Sequence, residues 1–251
     1  MITDPLWQPV LDELAQWRDA GLMADFWLRD DDAVEPTPLL DRLIDLTEEF
    51  EVPVALAIIP SRTGPALARR LDRARHVHPL IHGWSHENHA PATEKKQELG
   101  QHRPRDAVLH DLAMSLARLS ELHGERLTAI LVPPWNRIDP DLLDSLPALG
   151  FTGLSAFGHK LASRPALPVA NAHIDIVDSH AGNACRDHAV LVAALMKELR
   201  EARAKGGRPV GILSHHLVSD EEAFRFLRKL FTITAQSGGV NWRTPQKILT
   251  L

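Results

Sequence analysis

Apolar positions fall into alternating helical and strand-like runs. Residues 4–20 place Leu6, Val10, Leu11, Leu14, Ala15 and Trp17 at helical spacing behind Asp4-Pro5, a cap followed by a first-turn proline. Residues 24–29 are short, aromatic-rich and strand-like, and they stop at Asp30-Asp31-Asp32. A helix is predicted over 37–50, with Leu39, Leu40, Leu43, Ile44 and Leu46 on its buried face. A continuous apolar strand follows over 52–59. The alternation goes on with helix 64–75, strand 77–81, helix 104–123, strand 127–132, helix 140–149 and strand 150–154. It ends with strand 173–178, helix 188–205, strand 210–213 and helix 220–236. Residues 83–103 interrupt it as a polar loop, long enough to be functional.

Short, continuous apolar strands separated by helices predict a parallel sheet with covering helices. About seven such units without a linker favour a single barrel-like α/β domain over residues 1–251, with the helix at 4–20 at its N-terminal end. Composition agrees: 44% apolar and 24% charged residues suit a globular chain with a sizeable core. The net charge of −5 is spread along the chain, so no nucleic-acid surface is implied. The single cysteine, Cys185, excludes an intrachain disulfide and any cysteine-based zinc motif. Met1-Ile2-Thr3-Asp4-Pro5-Leu6-Trp7 lacks signal-peptide character and no run reaches membrane-span length, so a cytoplasmic location is the expectation. Oligomeric state leaves no mark in the sequence.

The polar residues narrow the picture further. His82-Gly83-Trp84-Ser85-His86 follows strand 77–81, and its two histidines are four apart, so one turn of helix-like backbone sets both imidazoles on one side. Two neutral imidazoles held that way are half of a divalent-metal site. Asp30-Asp31-Asp32 ends the first strand, Pro134-Trp135-Asn136-Arg137 the fourth, and Ser214-His215-His216 the seventh, while Asp175 and Asp178 lie on the sixth. Nearly all sit at C-terminal strand ends, the rim where a parallel barrel builds its active site. Singly, each has an ordinary explanation: a turn and cap for the aspartates, an exposed pair for the histidines, a strand stop for the prolines. Their conjunction on one rim is what points to chemistry.

The order of these clusters resembles the polysaccharide deacetylase family, also known as carbohydrate esterase family four or the NodB homology domain. Five motifs carry the resemblance over roughly residues 24–220: the Asp pair within Asp30-Asp31-Asp32, the His-x3-His of His82 and His86, Val132-Pro133-Pro134-Trp135, Asp175-Ile176-Val177-Asp178-Ser179, and Leu213-Ser214-His215. The resemblance implies a distorted (β/α)7 barrel. It implies a metal site of Asp32, His82 and His86 holding zinc or a similar divalent ion. It makes Asp31 the general base and His215 the general acid, oriented by Asp175 or Asp178, with backbone N–H near Trp135 facing the oxyanion. The register stays open by one residue, with Asp30 as base and Asp31 as ligand the alternative, and His216 is the alternative acid.

The sequence also departs from the family's pattern. The third motif's Arg is Val132 here, a charge that Arg29 or Arg137 is placed to supply. Gly83 stands where the second motif has Ser or Thr, Ser179 where the fourth has Trp, and Ala33 follows the Asp pair instead of Gly. The expected function is a metal-dependent hydrolase (carbon–nitrogen bonds other than peptide bonds) that removes an acetyl or other acyl group from an N-acetylated amino sugar or related amide. Its substrate would be a small molecule or oligosaccharide. The alternatives are a non-catalytic sugar- or metal-binding relative and a cyclic-amide hydrolase on the same barrel.

Overall fold

Strand β1 (Ala24–Ala33) is the spine of the sheet, and both of its faces are buried. Phe26 and Leu28 join the apolar layer beneath the helices, whereas Trp27 joins an inner cluster with Ala55, Ala57, Leu80, Ile130, Val132, Ala170 and Ile248. A strand covered on both sides needs apolar side chains at every position, which explains the continuous rather than alternating runs. A Cβ on Gly211 would meet the backbone oxygen of Asn171 at 2.6 Å and crowd the Trp27 indole.

The coordinates are a computed structural model that describes residues 4–159, 166–178, 182 and 184–251; Ser179 and the first three residues lie outside that set. Among the described residues, eight strands form one parallel sheet. In chain order β1 is followed by β2 (Val54–Ile58), β3 (Val77–Ile81), β4 (Ile130–Leu131), β5 (Gly153–Leu154) and β6 (Ile174–Asp175). An antiparallel pair, β7 (Val177–Asp178) and β8 (Ala184–Cys185), precedes β9 (Val210–Ser214) and β10 (Val240–Trp242). The spatial order is β5-β4-β3-β2-β1-β9-β6, with β10 added to the start of β1.

Backbone bonds draw the two edges of this sheet together. The run 168–176 bonds to the β5 side through Ala170 N–H to Leu154 O (2.9 Å) and Ala172 N–H to Ala156 O (3.0 Å). It bonds to the β9 side through His173 N–H to Gly211 O (2.7 Å) and Ile176 N–H to Leu213 O (3.0 Å). The fold is the distorted (β/α)7 barrel that the motif order implied.

Helices cover the outer face: α1 (Gln8–Asp19), α2 (Pro38–Glu49), α3 (Pro65–Leu71), α4 (Arg105–His123), α5 (Leu146–Leu149), α6 (His188–Ala204) and α7 (Glu221–Ser237), whereas the short α8 (Pro245–Ile248) packs on the inner cluster. Capping follows the sequence, with Thr37, Asp187 and Asp220 accepting N–H groups of α2, α6 and α7. None of the described helices is long and apolar enough to cross a membrane.

Several predicted elements differ in extent. The helix expected over 4–20 starts at Gln8, because the Asp4 carboxylate binds Leu6 N–H and closes a separate turn. The strand expected over 173–178 is split, since the Asp175 carboxylate takes Val177 N–H at 3.0 Å. The helix expected over 140–149 is a 3-10 segment, Pro140–Ser145, followed by the single turn of α5. Neither β10 nor α8 carries a periodic signal. The α8 segment matters all the same, because Ile248 joins the inner cluster, with Leu249 packed against it.

Candidate metal centre and active-site cleft

A bulge in β1 creates the site. Inward and outward positions alternate along the strand, so Arg29 and Asp31 follow Trp27 inward while Asp30 turns outward. The pairing with β2 then slips: Asp30 faces Leu56 and Ala33 faces Ile58, which leaves β1 one residue longer over that interval. Asp32 absorbs the extra residue in a left-handed conformation, φ 74°. The consecutive carboxylates of Asp31 and Asp32 therefore open onto the same cleft.

Asp32 meets the two histidines of the second motif. Its Oδ1 is 3.1 Å from His82 Nε2 and 3.3 Å from His86 Nε2. His82 Nδ1 donates to the Val132 carbonyl at 2.9 Å, so in the neutral ring Nε2 presents its lone pair to Asp32. Two acceptors facing each other at 3.1 Å require a shared proton or a cation, and together with His86 they form a compact three-ligand set. Burial alone would raise the Asp32 carboxyl, but the hydrogen bond to His82 and the nearby His86 and His215 hold it well below the usual carboxylate range. Burial, reinforced by His82, pushes His86 down to about 4, which keeps it neutral as a ligand must be. The donor set fits a divalent ion of the zinc type, and it leaves coordination positions free for other groups.

Of the two candidate cations, it is Arg29 that pairs with Asp31. It is fully buried, with Nη2 donating to Asp31 Oδ2 at 3.0 Å. Its Nε lies 2.9 Å from Oδ1, close but off the hydrogen-bond axis, and acts there as an ion pair. The remaining donors reach across the mouth to Ser155 Oγ (2.7 Å), Ala156 O (3.0 Å) and Asn136 Oδ1 (2.6 Å). Arg137, the other candidate for this charge, instead donates to Lys96 O.

The opposite wall carries His215, Asp175 and Val177. His215 Nδ1 is 3.8 Å from Asp175 Oδ1, too far for the orienting hydrogen bond expected from the motifs. Burial raises the Asp175 carboxyl, and His215 pulls it partly back. Asp178 points elsewhere and pairs with Arg186 at 3.5 Å. Trp135 closes a third side, its ring centroid 4.2 Å from that of His86, and both Trp135 and Asn136 are left-handed at φ 54° and 58°. The cleft measures about 590 Å³ and is rimmed by Lys95, Lys96 and Arg137.

Asp30 and His216, the alternative base and acid, lie on the far side of the sheet. Asp30 accepts from Ser214 Oγ at 2.6 Å and from His216 N–H at 2.9 Å, and its other oxygen pairs with His216 Nδ1. Neither residue lines the cleft. Sequence reasoning missed Ser155, Asn136 in its contact to Arg29, and Glu98, a loop residue that binds the backbone of the His86 turn.

A second cluster, His159, His173 and Glu198, has ligand-like spacing but a different chemistry. His173 Nδ1 accepts Gly211 N–H at 2.9 Å, so its outward nitrogen carries the proton. Arg208 already pairs with Glu198 at 2.6 Å. A fixed cation and a protonated ring nitrogen oppose a dication there.

No protein-family model matches the sequence, and no curated protein matches it. Solved structures do. A Mycobacterium smegmatis protein designated a polysaccharide deacetylase superimposes with TM-score 0.68 at 17% identity, over 91% of this chain and 90% of that one. A mutant of BA3943, a CE4 family pseudoenzyme with restored enzymatic activity, gives 0.63 at 11% identity, over 90% and 68%. A family 4 acetyl xylan esterase from Clostridium thermocellum, in complex with a cobalt ion, gives 0.54 at 17% identity, over 90% of each chain. The chain has the NodB-type polysaccharide deacetylase fold.

Proposed function

We propose that this protein is a metal-dependent deacylase that removes an acetyl group from an N-acetylated amino sugar or a related amide. One observation carries the reading: the ion-paired Asp31 shares a single cleft with the Asp32/His82/His86 set and with His215. A divalent ion held by those three side chains would supply Lewis acidity to the amide carbonyl and acidify the attacking water. Asp31 takes the proton from that water. Arg29 aims the carboxylate by holding both its oxygens. The oxyanion that forms on the substrate carbonyl faces the backbone N–H of Trp135, which makes no hydrogen bond among the described residues. His215, across the cleft, gives its proton to the departing amine.

A non-catalytic binder is the competing reading, and the fold neighbour that is a pseudoenzyme by description makes it concrete. The buried Arg29–Asp31 pair speaks for catalysis, because a sugar or metal binder has no use for a base held off the ligand set. Metal analysis of purified protein, combined with acetate release from chitooligosaccharides and smaller N-acetylated amides, separates the two. We expect about one equivalent of metal, lost in His86→Ala, and release of acetate. Bound metal without deacylation of any amide would favour the binder, and unchanged metal content in His86→Ala would overturn the ligand assignment.

A further inference from the structure

The turn that delivers His86 is held by a carboxylate that none of the motifs contains. Gly83 and His86 are both left-handed, at φ 60° and 57°, a strained conformation for the histidine that persists only where its surroundings enforce it. The N–H groups of the intervening backbone converge on one point, and Glu98 fills it. Its Oε1 accepts from Trp84 N–H (3.1 Å), Ser85 N–H (2.7 Å) and Ser85 Oγ (3.2 Å), and its Oε2 accepts from His86 N–H (3.3 Å). Only 1% of Glu98 is exposed, and no lysine or arginine among the described residues pairs with it. A buried carboxylate is costly unless its oxygens are engaged, so here the turn itself supplies the compensation. Ser115 on α4 grips the same turn from behind, donating to Gly83 O at 2.8 Å.

We propose that Glu98 is the positioning residue for His86, standing in for the Ser or Thr hydroxyl that the motif resemblance places at residue 83. The two solutions exclude each other. A Cβ on Gly83 would run into Glu98 Oε2 and come within 2.6 Å of Pro134 Cγ. The stretch that carries Glu98 is itself fixed: Gln97 N–H binds Asn88 Oδ1 at 2.9 Å, and Asp139 N–H binds Leu99 O at 2.7 Å. The inference rests on the metal-centre reading above, and its test keeps the two apart.

Chelator-stripped full-length protein titrated with Co²⁺ reports ligand geometry through affinity and the visible absorption band, with no need for turnover. Glu98→Gln keeps an oxygen for Trp84 and Ser85 but sets an amide NH₂ against His86 N–H, and Glu98→Ala removes every acceptor. Cobalt affinity should fall roughly 10–100-fold in Glu98→Ala and less in Glu98→Gln. The band should shift in both, while the metal-free variants keep wild-type circular dichroism. Wild-type affinity and spectrum in the variants, with binding abolished by His86→Ala, would overturn this proposal alone. Should Glu98→Ala fail to fold, unaltered cobalt binding by Glu98→Gln would have the same force. No cobalt binding by the wild type, or undiminished binding by His86→Ala, would overturn the metal centre and the positioning role with it.

Discussion

Replacing Arg29 with methionine tests the arrangement at its centre. The guanidinium has no solvent exposure and Asp31 is 1% exposed, so the substitution leaves a carboxylate almost wholly withdrawn from solvent without its cation. It also strips donors from Ser155 Oγ, Ala156 O and Asn136 Oδ1. Removing one partner of a buried ion pair costs about 3–5 kcal/mol, a large part of a typical domain's stability. Much of that cost is the stranded charge and not the lost attraction. Arg29→Met combined with Asp31→Leu should therefore be more stable than Arg29→Met alone, although it carries one more change in the cleft. Urea unfolding of chelator-treated wild type, both single variants and the double variant closes the cycle. A cost below about 1 kcal/mol for Arg29→Met, or simple additivity in the double variant, would refute the claim that Arg29 is what compensates the buried Asp31 carboxylate. Arg29→Lys extends the test, because a point-like ammonium cannot hold both Asp31 oxygens and reach Ser155, Ala156 and Asn136 as well.

Asp31→Asn should retain metal and lose turnover by roughly 10²–10⁴-fold, whereas loss of metal with the turnover would assign Asp31 to the ligand set. The Asp30–His216 pair makes stability fall with pH. Burial favours neutral His216, but Asp30 more than offsets this and raises its pKa above the ordinary 6.5, so the pair's contribution is complete below about 6.5 and fades as pH climbs through the raised value. In metal-free protein, the stability gap between wild type and His216→Gln should narrow from pH 6 to pH 9; a constant or widening gap would sink the assignment. Burial, with Asp220, Glu222 and Asp187 nearby, pushes the Cys185 thiol up to about 11. Iodoacetamide at pH 8 should thus alkylate it roughly a hundred-fold more slowly than an ordinary exposed thiol, and unfolding should remove the difference.

Much of the candidate site is legible in the sequence because the proposed chemistry needs particular residue types at the ends of particular strands. His82 and His86 declare themselves by spacing, and Asp31 and Asp32 by falling where an apolar strand stops. What stayed open depended on backbone geometry. The bulge that turns Asp32 inward is a slip in register against β2, and nothing in Asp30-Asp31-Asp32 marks where that slip falls. The choice between Arg29 and Arg137 was equally closed to inspection, because Arg29 looks like an ordinary strand residue until the inward alternation is known. Glu98 lies in a polar stretch without periodicity, and its partners are backbone N–H groups that every sequence possesses. The short strands are shorter than their apolar runs for a related reason: apolar flanks bury as well as strands do, but only ladder bonding defines a strand.

The slip in β1 has one more consequence. The acid proposed to move protons and the acid proposed to hold the metal are joined by a single peptide unit, with their Cα atoms about 3.8 Å apart whatever else moves. His82, His86, Trp135 and His215 arrive from other strands and turns, and each can drift with the loop that bears it. Remodelling those loops can therefore change which molecules enter and how tightly they sit, while the step between proton acceptor and ligand stays constant. A lineage can vary its substrates at the rim and inherit that distance unchanged from the covalent chain.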